Sequence, residues 1–96
     1  MNNEIRLVGR PTKAPELTWD LHEATVTVSL EVNRPGVLNE EKKTDVIPCK
    51  FMGDAAQDIA EYVTQGRLIR VIGSYRIEGK YTYIQGEEFI LLGGIQ

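Results

Sequence analysis

From Ala24 to Arg34 apolar and polar residues alternate without interruption, Val26, Val28, Leu30 and Val32 on one side and Thr25, Thr27, Ser29 and Glu31 on the other. A period of two held over that length is a strand with one face buried and one face wet. It is the clearest strand in the chain, and the rest of the sequence has to supply its partners. The same alternation opens the chain from Glu4 to Arg10, with Ile5 and Leu7 on one side and Glu4, Arg6 and Arg10 on the other. It returns from Thr44 to Gly53, where Ile47, Cys49 and Phe51 point inward and Val46, Lys50 and Met52 outward. Pro48 has no N–H to give a neighbour, which predicts an edge position or a bulge at that point. Leu68 to Ile77 and Tyr81 to Leu92 are rich in β-branched and aromatic residues, and the short break Glu78-Gly79-Lys80 predicts a hairpin between them.

The connections follow from the breakers. Gly9, Pro11 and Pro15 end the first strand, and Pro11 to Leu17 reads as an irregular, extended connection. Pro35-Gly36 starts a charged stretch through Lys43 that reads as an exposed loop. Asp54 and Gln57 have the spacing of a capping box, and Ile59, Ala60 and Val63 then recur at helical spacing up to Gly66, a natural stop.

Composition narrows the function classes. A chain of 96 residues is of single-domain size, so residues 1–96 are read as one domain. With 42% hydrophobic and 26% charged residues it has the balance of a soluble globular protein, and no apolar run approaches membrane-spanning length. The N-terminus has no secretory pattern, which predicts a cytoplasmic protein. Cys49 is the single cysteine, so neither an internal disulfide nor a cysteine-based zinc cluster is available within one chain. His22, the single histidine, sits in Asp20-Leu21-His22-Glu23, which reads as a polar turn rather than a triad or metal site. Cys49 lies in the inward register of its strand, as an inert thiol would. With no phosphate-binding glycine signature either, the chain is expected to be no enzyme and to carry neither cofactor nor metal.

Three strands, one helix and two strands is the order of a five-stranded Greek-key barrel of the oligonucleotide-binding type, all-β with its one helix between strands three and four. Specific residues agree. Ile5-Arg6-Leu7-Val8-Gly9-Arg10 with Pro15-Glu16-Leu17, then Val28 to Arg34, then Asp45-Val46-Ile47-Pro48-Cys49-Lys50-Phe51-Met52-Gly53, then Ala60 to Gly66 and Leu68 to Gly73, resemble in order the segments of the bacterial single-stranded DNA-binding protein family. The resemblance implies sequence-nonspecific single-stranded DNA binding in replication, recombination or repair, and a homo-oligomer, tetramer or dimer. It also implies two departures. Val46 and Met52 stand where relatives carry stacking aromatics, and the sequence reads Gly93-Gly94-Ile95-Gln96 where relatives usually continue into an acidic-tipped tail that recruits replication proteins.

A groove for single strands needs cations spaced along a backbone and flat or polarisable side chains between them. The outer-face candidates are Arg34, Lys50, Met52, Arg70 and Arg76, with Arg10, Lys13, Lys42 and Lys43 as possible extensions. Tyr81 and Tyr83 share one face of the last strand and are expected to meet nucleic acid or a neighbouring subunit, whereas Tyr75 is expected to point inward. Trp19 offers a stacking face to a base, and equally a surface for core packing or an oligomer contact. The net charge of −3 argues against nucleic acid unless the positive potential is local. The alternative is a barrel that serves as a protein-interaction module of a replication or primosome-type complex, with weak or no DNA binding.

Overall fold

The computed structural model describes residues 2–35 and 43–93, so most of the charged loop after Pro35, Lys42 included, lies outside the described residues. Among these residues the elements run β1 (Ile5–Pro11), β2 (Leu17–Asp20), β3 (Glu23–Asn33), β4 (Thr44–Met52), α1 (Asp54–Tyr62), β5 (Ile69–Glu78) and β6 (Tyr81–Leu91). They make one sheet in the order β1-β5-β6-β4-β3-β2, and a further β1–β3 pairing closes five strands into a barrel with β2 attached outside it. This is the expected oligonucleotide-binding architecture, with α1 between the third and fourth barrel strands. All contacts between neighbouring strands are antiparallel except β4–β6, which are parallel at Cys49↔Ile84 and Lys50↔Gln85.

The alternation seen in the sequence becomes the core. Ala24, Val26, Val28 and Leu30 of β3 meet Cys49 and Phe51 of β4, Ile69 and Val71 of β5 and Ile84 of β6, all buried. Ala56, Ile59 and Val63 close the lower end from α1 and the residue after it. Phe51 packs edge-to-face on Phe89, with centroids 6.4 Å apart. Its ring also lies against Gly86, where any side chain would collide with it.

Trp19 lies in a short strand that the sequence does not announce: Leu17–Asp20 pairs with the start of β3 through a two-residue turn, and four residues are too few for a period of two to show. Two local expectations are corrected. The capping box does not form, because Gly53 takes the N-cap position with no side-chain cap, and Gln57 donates its backbone N–H to the Gly53 carbonyl at 3.2 Å. Asp54 instead sits in the first turn, where its charge suits the helix dipole. The helix stops at Tyr62, ahead of Gly66, since Val63 turns extended to stay in the core, and Gly66 donates to the Pro11 carbonyl at 3.0 Å. Tyr75 keeps the expected inward register of Ile69 and Val71, opposite buried Ile84, yet is 45% exposed, because it lines an open groove with Ile5, Leu7 and Ile47 at the barrel rim, where β5 and β6 run on as a two-stranded arm.

Pro48 is accommodated without a bulge. The carbonyl of Ser29, its partner on β3, accepts from Thr12 N–H at 2.9 Å, so the Ser29–Pro48 pair is of the non-hydrogen-bonded kind. The side that lacks an N–H faces β6, whose pairing with β4 spans only Cys49 and Lys50.

Burial also settles the chemistry of Cys49. Desolvation pushes its thiol up to about 12, so the nucleophilic thiolate is scarce at neutral pH. In the unfolded chain the thiol ionises nearer 9, and stability is therefore expected to fall as pH rises from about 9 towards about 12. A disulfide reagent at pH 8 is expected to leave the folded protein unmodified and to titrate one thiol after denaturation. Prompt reaction in the native state would contradict the buried assignment.

Candidate nucleic-acid interface

The outward residues of β3, β4, β6 and β5 fall into rows across the sheet. One row runs Thr27, Lys50, Gln85, Ser74, each opposite the next on the adjoining strand. To one side Met52 lies opposite Thr25, and to the other Tyr83 lies opposite Arg76. The Lys50 ammonium stands 5.9 Å from the centre of the Tyr83 ring, within cation–π range. Gln85 ties the rows together, its Nε2 donating to the Lys50 carbonyl at 3.4 Å and to the Met52 thioether at 3.8 Å. Among the described residues neither Lys50 nor Arg76 carries an ion pair. The arrangement is two free cations flanking an aromatic ring, with a thioether and three short polar groups beside them. Glu31 and Glu78 sit at its margins, on the outer faces of β3 and β5.

Of the residues singled out from the sequence, Lys50, Met52, Arg76 and Tyr83 are brought together, and Tyr81 follows two residues further towards the arm tip, opposite Glu78. The others are elsewhere. Arg34 continues the inward register of Val32 and grips Asp45 with both ends of its guanidinium, at 2.9 and 3.1 Å. Those hydrogen bonds hold the Asp45 carboxyl below its ordinary range and the arginine above its own. Arg34 is therefore not the outer-face cation expected of it. Arg10 donates to the Gly66 carbonyl at 2.7 Å and lies opposite Glu31, so it ties the loop after α1 to β1. Arg70 faces outward on β5 but six residues from Arg76, about 20 Å along the strand. Lys13 is exposed in the loop after β1, and Lys43 is exposed just before β4. Trp19 lies opposite buried Ala24, while its neighbour Thr18 shares the outer face with Thr25 through a 2.8 Å hydroxyl contact. The indole is thus on the side of the β2–β3 ribbon turned away from Lys50 and Met52.

Thr27, Ser74 and Gln85 were not singled out. Thr27 was already placed on the outer side by the alternation of β3, and Gln85 shares the parity of Tyr81 and Tyr83. What was missing was the β4–β6 pairing that sets Gln85 beside Lys50, a parallel contact between strands some 35 residues apart in sequence.

A closed five-stranded barrel with its one helix between the third and fourth barrel strands is the oligonucleotide-binding fold. The chain belongs to the Single-strand binding protein family, whose model matches residues 2–89. It is 37% identical over 76 residues to the single-stranded DNA-binding protein of Clostridium perfringens, covering 77% of this chain and 49% of that protein. To the single-stranded DNA-binding protein of Staphylococcus epidermidis it is 37% identical over 78 residues, covering 79% of this chain and 59% of that one. Single-stranded DNA-binding protein 3 of Listeria innocua is 34% identical over 92 residues, covering 88% and 58%. The chain spans about half the length of the curated relatives it matches. No helix among the described residues is long and apolar enough to cross a membrane.

Proposed function

We propose that this protein binds single-stranded DNA without sequence preference, in the service of replication, recombination or repair. The observation that carries the reading is that Lys50 stands over the Tyr83 ring and Arg76 lies opposite Tyr83 on the adjoining strand, neither in an ion pair among the described residues. Phosphates seek the cations, and a base, whatever its identity, offers a face to the ring. Met52 supplies a softer, polarisable contact, Thr27, Ser74 and Gln85 supply hydrogen bonds, Tyr81 extends the surface along the arm, and Arg70 continues the track down β5. Family membership and the names of the relatives support the same assignment.

Titration with an oligothymidine at low and high salt tests it. Binding that is tight at about 50 mM salt and weakens steeply towards 200 mM is expected, as displaced counterions supply much of the free energy. Failure to bind a long oligothymidine even at low salt would remove the proposal.

The stacking contribution is separable. Tyr83→Leu is expected to weaken binding by about 1–3 kcal/mol, roughly 5- to 150-fold, while Tyr83→Phe stays within about threefold of the parent. Met52→Phe should act in the opposite sense and tighten binding several-fold, because it adds a ring where the thioether now stands. Equal affinities for all three variants, read by anisotropy, would show that bases do not stack here.

Self-association forms part of the proposal. β1 pairs with β5 along Ile5 to Gly9, whereas its pairing with β3 is confined to Arg10 and Pro11. One edge of β1 therefore keeps free backbone groups beside an apolar groove of about 270 Å³ lined by Ile5, Leu7, Ile47 and Tyr75. Such an edge invites a second copy. Light scattering at micromolar concentration should give a dimer or larger, and a monomer mass would contradict it.

A further inference from the structure

β2 and the turn that joins it to β3 contribute no residue to the surface just described. Its two-residue turn places Leu21 at φ 60, a left-handed conformation that side chains other than glycine, asparagine and aspartate avoid at a cost of about 1–2 kcal/mol. That leucine is also 90% exposed. Turn positions of this kind ordinarily go to small polar residues, so a strained and fully wetted leucine points to a use for the apolar side chain. Leu17 and Trp19, the latter 58% exposed, precede it at alternate positions on the side of β2 opposite Thr18, and β2 lies alongside α1.

Charge in these elements is of one sign. From Phe51 to Gly66 the sequence contains no lysine or arginine, and α1, which lies alongside β2, exposes Asp54, Asp58 and Glu61. From Ala14 to Asn33 there is again no lysine or arginine; Asp20 and Glu23 pair on the Thr18 side of the ribbon, behind Trp19. An apolar strip on two elements that carry only carboxylates repels a polyanion and attracts a cationic, apolar-faced chain. Exposed tryptophan and leucine on such a strip are the residue types that anchor protein contacts.

We infer that the β2–β3 hairpin, with α1 beside it, is a docking surface for a basic amphipathic segment of a partner protein, anchored on Trp19 and Leu21. The two surfaces divide the labour by charge: nucleic acid on the Lys50–Tyr83–Arg76 face, a cationic peptide on the opposite side of the same β3 strand. The inference does not depend on the nucleic-acid reading.

Trp19 is the single tryptophan and so reports the surface directly. A synthetic 14-residue helical peptide with one lysine face and one leucine face serves as probe, added to the full chain. A saturable change in Trp19 emission at micromolar peptide is expected, weakened several-fold by raising salt from 50 to 200 mM. Leu21→Asp is the decisive variant, since aspartate tolerates the turn conformation and adds negative charge. Anchored docking predicts at least tenfold weaker binding in Leu21→Asp, whereas attraction by charge alone predicts equal or tighter binding, and that result would overturn the inference. So would the absence of any saturable peptide response. A shift of Trp19 emission on adding oligothymidine alone would assign the hairpin to the nucleic-acid path, and one that tracks protein concentration would assign it to self-association.

Discussion

Replacing Lys50 and Arg76 together with alanine is expected to lower affinity for oligothymidine about a hundredfold at 50 mM salt, without a change in thermal stability. Both side chains project from the outer face of paired strands, and neither is engaged by a carboxylate among the described residues, so their removal leaves no orphaned charge. For single strands each phosphate contact contributes about 0.7 to the slope of log affinity against log salt, so the double variant should flatten that slope by about 1.4. The slope is the sharper measurement, because it counts contacts rather than inferring them from a loss of affinity. Arg34→Ala provides the contrast. Its guanidinium already serves Asp45 on the other face of the ribbon, and its loss should leave the slope unchanged. A double variant with the parent slope would place the phosphate track elsewhere on the barrel.

The second large effect is on the barrel itself. Gly73→Ala is expected to destabilise the fold by about 3 kcal/mol, which for a chain of this size lowers Tm by about 12–24 °C. Gly73 pairs with Gly86 at the irregularity where β6 has Glu87 as an extra residue relative to β5. A methyl group on Gly73 would collide with the Gln85 carbonyl oxygen and crowd the Gly86 Cα at 3.0 Å. These are backbone atoms held by the sheet, and no side-chain rotation relieves them. The only response is for β5 and β6 to separate at the point where the sheet coils and the arm departs. Gln85 and the Arg76–Tyr83 pair lie on the arm side of that point, so the variant should also lose affinity for single strands. Thermal unfolding followed by circular dichroism checks the first part; a Tm within about 4 °C of the parent would mean that the strands yield more easily than their geometry suggests.

The contrast between those two sites shows which parts of the interface were legible. Lys50 and Met52 are legible because they sit in an alternating strand whose inward set is plain, and parity then assigns the outward set; for Tyr83 the sequence shows only that it shares a face with Tyr81. The outer-face reading of Arg34 goes against parity: two residues after Val32 it follows the inward register, and it finds Asp45 across the ribbon. Parity carried one step past the strand end gives the side, and the fold then supplies the carboxylate that claims it. Trp19 escaped for a related reason: a four-residue strand has too few alternations to show its sides, and its orientation became defined only through pairing with Ala24.

Local chemistry acting between near neighbours determined five long strands, one helix and the buried faces of β3 and β4, because hydrophobic period is a property of consecutive residues. Contacts between distant segments decided the rest. The β1–β3 closure, the parallel β4–β6 contact that sets Gln85 beside Lys50, the glycine pair under the coil of β5 and β6, and the open groove that leaves Tyr75 half exposed all depend on which strands meet and in what register. Register is set by the joint packing of the whole barrel, so no single stretch of sequence contains it.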